Sequence, residues 1–300
     1  MTGAAGADPR QEIETHGYYV ARGVLTAAEI DRLRTVAVEQ MHPLAHVQRL
    51  GYIVKGAVAA MPDLAWLLRH PALLDSARQL LGDGPLVLCD CDCQLDVVGR
   101  WHRDDHDHRG SFFKGDHHAR DECRIYRAAL YLQDHADNDW GLKVRRGSHR
   151  QRQDDGLPVD DLRTRAGDII FFDCRTNHIG IVPDPVERML VGLGRRLQWP
   201  GWILGLKKAW WRLTGKPAKA AIFFAFGTPH PDTEDFCRAE ITFRRMRWGH
   251  EKFRIDEDVA HAFDAAGVLT FDAALKRRFG PAVLDDMAAG KPLPEERLWT

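Results

Sequence analysis

The chain has 300 residues, 44% of them hydrophobic, which is enough to bury a substantial core in one large domain or two small ones. Its formal net charge of -1 argues against a molecule covered by basic surface, so no nucleic-acid partner is expected. The six cysteines (Cys89, Cys91, Cys93, Cys123, Cys174 and Cys237) contain no CxxC pair and no small-domain disulfide framework, which points to a reducing compartment.

The start, Met1 to Asp8, has neither a basic segment nor a long apolar run, and no later stretch is continuously apolar over a membrane-spanning length. A cytoplasmic protein is expected, with peripheral contact at the inner face of a membrane left open by a segment taken up below. Gly17-Tyr18-Tyr19-Val20 reads as a short strand, and Thr26-Ala27-Ala28-Glu29 as a capping box opening a helix to about Glu39. Pro62 to Leu81 carries a second helical pattern, stopped by Gly82-Asp83-Gly84-Pro85. From Leu86 to Val98 the period becomes two, with Cys89, Cys91 and Cys93 on one face and Asp90, Asp92 and Gln94 on the other. Alternate cysteines on a strand face read as small apolar core residues rather than soft-metal ligands.

Further strands are expected at Arg124 to Leu132, Leu142 to Val144, Asp168 to Phe172 and Ala220 to Phe226. Helices return at Asp256 to Ala265, Thr270 to Phe279 and Pro281 to Ala289. Many short strands with Gly, Pro and Asp between them indicate an antiparallel sandwich or barrel with flanking helices. The expected organisation is one domain over 1–300. Helical support occupies 1–85, a β core 86–226 with a basic, tryptophan-rich insertion at 190–218, and a helical region 227–300.

Trp101-His102-Arg103-Asp104 follows the first long strand and reads as a strand itself, which would aim His102 and Asp104 from one face. Imidazole and carboxylate, joined by a later histidine, make the ligand set of a mononuclear iron(II) site with open positions. His106, His108, His117, His118, His135, His149 and His178 compete for the third place. His178 is best placed, at the end of the apolar run Ile169-Ile170-Phe171-Phe172, where rigid structure would hold it. A centre using His106 or His108 stays open as an alternative.

Four segments in order resemble the phytanoyl-CoA dioxygenase-like family of iron(II)- and 2-oxoglutarate-dependent oxygenases. They are Trp-His-Arg-Asp at 101–104, Ala-Leu-Tyr-Leu-Gln-Asp at 129–134, Gly-Ser-His-Arg at 147–150, and Ala-Gly-Asp-Ile-Ile-Phe-Phe at 166–172 followed by His178. The resemblance implies a double-stranded β-helix, the cupin-like jelly roll. It further implies that His102, Asp104 and His178 bind Fe(II), with 2-oxoglutarate and oxygen as co-substrates, while His149 belongs to a structural loop. Such enzymes hold the far carboxylate of 2-oxoglutarate with an arginine near the strand after the last histidine. Here Arg188 has the family-like separation from His178, but Lys219 stands just before the matching strand and is favoured on that context. The family's proline before Gly-Ser-His is replaced by Arg146. A carboxylate at position 104 favours hydroxylation over halogenation, since related halogenases carry a small residue there.

From Arg188 through Pro231 there is no acidic residue. Within this stretch Trp199 to Leu213 reads as an amphipathic helix with Trp202, Leu206, Trp210 and Leu213 on one stripe. Tryptophan with Lys208 and Arg212 suits a membrane interface, or a lid over the metal that receives an anionic or amphipathic small-molecule, lipid or saccharide substrate. The reading from another class is a noncatalytic, metal-containing β-barrel that binds lipid or carbohydrate at a membrane surface.

Overall fold

The computed structural model describes residues 8–107, 110–113, 115–120, 122–248 and 254–299. The first seven residues and His108, on which expectations were placed above, lie outside the described residues.

The chain opens with α1 (Pro9–His16), β1 (Tyr18–Ala21), α2 (Ala27–Leu44), β2 (His46–Gln48), β3 (Gly51–Lys55), α3 (Ala57–Ala60) and α4 (Pro71–Leu81). The core strands follow: β4 (Leu86–Leu95), β5 (His106–Asp107), β6 (Gly110–Ser111), β7 (Ile125–Tyr131), β8 (Leu142–Arg145), β9 (Val159–Leu162), β10 (Ile169–Asp173) and β11 (His178–Ile179). Next come α5 (Pro185–Arg196), α6 (Gly201–Thr214), β12 (Ala220–Gly227), α7 (Pro231–Trp248), α8 (Glu257–Ala265), β13 (Val268–Thr270), α9 (Phe271–Phe279) and α10 (Ala282–Ala288).

A large sheet runs β1-β10-β7-β12-β4-β3-β2, antiparallel throughout, with β13 added parallel to β4. A small antiparallel sheet runs β11-β8-β9. Alternation sorts the large sheet's side chains between two layers. Ala128, Leu130, Ile169, Phe171, Ile222 and Phe224 face the helices, where they pack with Ile13, Leu33 and Leu73 among others. Ala129, Tyr131, Ile170, Phe172 and Ala221 face the small sheet and meet Leu142, Val144 and Leu162. Cys91 and Cys93 belong to the helix-facing layer, and the cysteines are free thiols.

The capping box at Thr26 is present, with Glu29 N–H donating to Thr26 Oγ1 and Thr26 N–H to the Glu29 carboxylate, and the helix runs on to Leu44. The expected helix over Pro62 to Leu81 is instead broken. Two 3-10 turns at Pro62–Leu64 and Leu67–Arg69 precede α4, because Pro71 forces His70 into extended backbone at ψ 125°. The first 85 residues are also more than helical support, since β1, β2 and β3 are strands of the large sheet. Gly17 ends α1 at φ 85°, and a Cβ there would sit 2.7 Å from His149 Nδ1, so this glycine lets the first helix close onto the 147–150 loop.

Candidate metal centre

The strand expected at Trp101 to Asp104 reduces to one antiparallel bridge between His102 and His178. His102 N–H donates to His178 O at 3.0 Å, and His178 N–H to His102 O at 2.9 Å. Residues that exchange both bonds lie directly opposite, so their side chains share a face, and the two rings stand 4.3 Å apart. Backbone pairing between segments 76 positions apart therefore joins the first and third candidate ligands. Asp104 is fixed separately, its N–H donating to Cys174 O at 2.9 Å.

Each imidazole is oriented by a carbonyl two residues earlier in the chain. His102 Nδ1–H donates to Arg100 O at 2.8 Å and His178 Nδ1–H to Thr176 O at 3.0 Å. A carbonyl only accepts, so both rings carry the Nδ1 proton and present an Nε2 lone pair. Those nitrogens lie 3.8 Å and 3.7 Å from the Asp104 oxygens. Two nitrogens and a carboxylate oxygen within 4.8 Å of one another fit a divalent metal that keeps open positions.

Burial, then the neighbouring His178, pushes His102 down to about 4, and burial lowers His178 as well. Burial alone would raise Asp104, but Arg127 and the two imidazoles hold it well below the usual carboxylate range. At neutral pH the triad is thus two neutral imidazoles and one carboxylate, ready for a cation without losing a proton.

The sequence reading missed Arg127. It lies on the inward face of β7, buried, with Nε 3.0 Å from Asp104 Oδ2 and Nη1 donating to Asp90 Oδ2 at 2.8 Å. The available signal was a lone charge inside the apolar run Ile125 to Tyr131. Glu240 of α7 was also missed. It lines the same cavity, and burial lifts its carboxyl to about 6 against the pull of Lys55 and Arg127.

The triad opens into a cavity of about 530 Å³ between the sheets, lined also by Gln94, Arg100, Phe112, Leu142, Phe223 and Lys219. Lys219 is buried, donates from Nζ to Trp140 O at 3.1 Å and sits 4.5 Å over the Tyr131 ring. Among the described residues no carboxylate lies within ion-pair distance of it, whereas the buried Lys207 has Asp96 at 3.5 Å. Burial, and then Lys143, lowers Lys219 to about 7. Tyr131 is fully buried beside it, and its hydroxyl has no hydrogen-bond partner among the described residues. Gly180 makes room, because a Cβ there would come 3.2 Å from Lys219 Nζ.

The structure does not bring Arg188 to the cavity. It stands exposed on α5 and donates to Pro183 O, since the residues after His178 form a helix where the spacing argument assumed a strand. The tryptophan-rich segment is likewise misplaced as an overhanging lid. α5 and α6 pack outside the sheets on Leu50, Val98 and Ile181, and neither helix lines the cavity. The face of α6 that packs is Ile203, Lys207 and Trp211, so Trp202, Leu206 and Leu213 point outward. His149 is buried and 3.0 Å from Glu14 O, bracing α1. His135 bonds Asn138 at 2.8 Å, and His106, His117 and His118 gather on Asp105 instead of the triad.

Several solved structures are similar to this chain. The non-heme alpha ketoglutarate dependent carbocyclase SnoK from nogalamycin biosynthesis aligns over 75% of this chain and 85% of its own, at 16% identity and TM-score 0.55. The epimerase SnoN from the same biosynthesis aligns over 74% and 81%, at 18% identity and TM-score 0.53. HygX from Streptomyces hygroscopicus, solved with nickel and 2-oxoglutarate bound, aligns over 75% and 88%, at 17% identity and TM-score 0.52. Together with the sheet order these likenesses assign the fold, a mainly β, cupin-like jelly roll or double-stranded β-helix with flanking helices. No protein-family model and no curated protein matches the sequence. No helix among the described residues is long and apolar enough to cross a membrane.

Proposed function

We propose that this chain is an iron(II)- and 2-oxoglutarate-dependent oxygenase that hydroxylates an unactivated C–H bond, and that it is kin to the phytanoyl-CoA dioxygenase-like enzymes. The observation that carries the reading is the convergence of two Nε2 lone pairs and the Asp104 carboxylate on the wall of the cavity. The similar solved structures, a non-heme alpha ketoglutarate dependent carbocyclase and epimerase and a protein bound to 2-oxoglutarate, support it.

Bound iron with 2-oxoglutarate and oxygen supplies a C–H oxidant, the co-substrate leaving as succinate and carbon dioxide. His102, Asp104 and His178 would hold the metal, Asp104 contributing the one negative charge. Arg127, paired with that carboxylate by charge, keeps it ionised. Lys219, a buried ammonium without an anionic partner, is suited to the far carboxylate of 2-oxoglutarate, with the Tyr131 hydroxyl as a second donor. The apolar faces of Leu142 and Phe223 exclude water, and Arg100 at the cavity wall favours an anionic or amphipathic substrate.

Peripheral contact with an anionic membrane belongs to the same reading. Trp202, Leu206 and Leu213 on α6, and Met189 and Leu197 in and just after α5, are half or more exposed or nearly so, and the exposed Arg195, Arg196, Lys208 and Arg212 belong to the same two helices. Such a surface matches a lipid interface in both apolarity and charge.

The test of the enzyme is iron-dependent succinate formation from 2-oxoglutarate, screened against small-molecule and lipid extracts. The reading expects substrate-stimulated succinate with a product heavier by one oxygen. Folded, iron-loaded protein that forms no succinate would return the noncatalytic binding module.

A further inference from the structure

We infer a second divalent-cation site, of the zinc class, formed by Asp105, His117 and His118. Asp105 is 1% exposed, and its Oδ2 receives two imidazole nitrogens, His117 Nε2 at 2.7 Å and His118 Nε2 at 3.3 Å. Both histidines are buried, with ring centroids 4.4 Å apart. The other carboxylate oxygen is held by His106 Nδ1 at 2.6 Å. This is the pattern of a ligating carboxylate, one oxygen facing the donor set and the other tied to a neighbour.

One ligand atom from each of Asp105, His117 and His118 lies within 4.8 Å of the others, and all three residues are buried. His118 Nδ1 lies 3.2 Å from His149 O and 3.4 Å from Arg103 Nη1. Arg103 Nη1 has two protons, and both are directed to closer carbonyls, Ser148 O at 2.6 Å and Arg175 O at 2.8 Å. His118 Nδ1 must therefore donate to His149 O. Either an Nε2 proton or a cation must then stand between the ring and the buried Asp105 oxygen, and the cation is the occupant proposed. His117 Nδ1 lies 3.3 Å from Ser111 Oγ, a hydroxyl that can donate to it or accept from it. Two imidazoles and a carboxylate leave a fourth tetrahedral place for water.

The ion would tie the 3-10 turn His117–Ala119 to the residue next to Asp104, close to His106 and Phe112, which line the cavity. This site does not depend on the oxygenase reading.

The experiment uses the His102→Ala/His178→Ala variant, which lacks the other centre, equilibrated with zinc and freed of loose metal by gel filtration. About one zinc per chain is expected, falling to background when His118→Ala is added with the circular dichroism unchanged. Folded double variant without zinc overturns the site, leaving a protonated hydrogen-bond network, and so does zinc retained after His118→Ala. If His118→Ala fails to fold, cobalt(II) titration of the double variant decides. Visible ligand-field bands are expected, and a featureless titration overturns the inference.

Discussion

Arg127 Nε lies 3.0 Å from Asp104 Oδ2 in the interior between the two sheets, so a buried guanidinium forms an ion pair, without hydrogen-bond geometry, with the one anionic residue of the candidate centre. The same side chain grips Asp90, which fixes its plane. Outer partners of this kind typically govern metal affinity by about ten- to a hundredfold. Arg127→Gln is therefore expected to weaken iron(II) binding by that order in anaerobic titration. Affinity within about twofold of the parent would remove Arg127 from the account.

Lys219 differs from the buried Lys207 and the half-buried Lys216 in having no carboxylate within ion-pair distance among the described residues. A charge-assisted bond is worth about 1.5–3 kcal/mol, so Lys219→Ala should raise the KM for 2-oxoglutarate roughly ten- to a hundredfold, with a smaller change in kcat. Arg188→Ala, on an exposed side chain outside the cavity, should leave KM unchanged. Steady-state succinate assays over co-substrate concentration separate the two variants, and the reverse ranking would reinstate Arg188.

The depressed Lys219 sets a pH dependence. Burial and Lys143 bring it to about 7, so the free protein carries the ammonium below that pH and loses it above. A bound carboxylate favours the ammonium, so KM for 2-oxoglutarate should be flat below about pH 7 and climb up to tenfold per unit above it. Lys219→Arg, which stays charged, should flatten the climb. A wild-type KM that falls between pH 7 and about pH 9 would contradict this.

For the α5–α6 surface, replacing Trp202, Leu206 and Leu213 together with Ser removes exposed apolar area without touching Ile203, Lys207 or Trp211, which pack inward. Co-sedimentation with anionic vesicles should drop at least severalfold, and it should weaken with salt because the attraction is partly electrostatic. Equal sedimentation of parent and variant would end the membrane proposal.

The strands whose side chains alternate, β4, β7, β10 and β12, were legible because burial on both faces imposes composition residue by residue. The capping box at Thr26 was legible for a local reason, two side-chain bonds within four residues. β2 and β3 were not, being short and paired only through tertiary contact. α5 had its signals in Asp184, Pro185 and Glu187, but Gly192 and Gly194 diluted the pattern. Gly194 is there because the Trp199 ring lies where a Cβ would be, at 2.4 Å. The His102 and His178 pairing rests on a bridge no local pattern encodes, and only the ordered motifs pointed to it. Arg127, Glu240 and the Asp105 cluster needed the fold to show which charges face inward together.

The central claim, that His102, Asp104 and His178 hold iron(II) with room for a chelating co-substrate, is tested most directly by optical titration without oxygen. Adding 2-oxoglutarate to the iron(II)-loaded protein should produce the weak visible charge-transfer band of the chelate, saturating at about one equivalent and missing in His178→Ala. No band in folded, iron-loaded wild type, or an undiminished band in His178→Ala, would contradict the account.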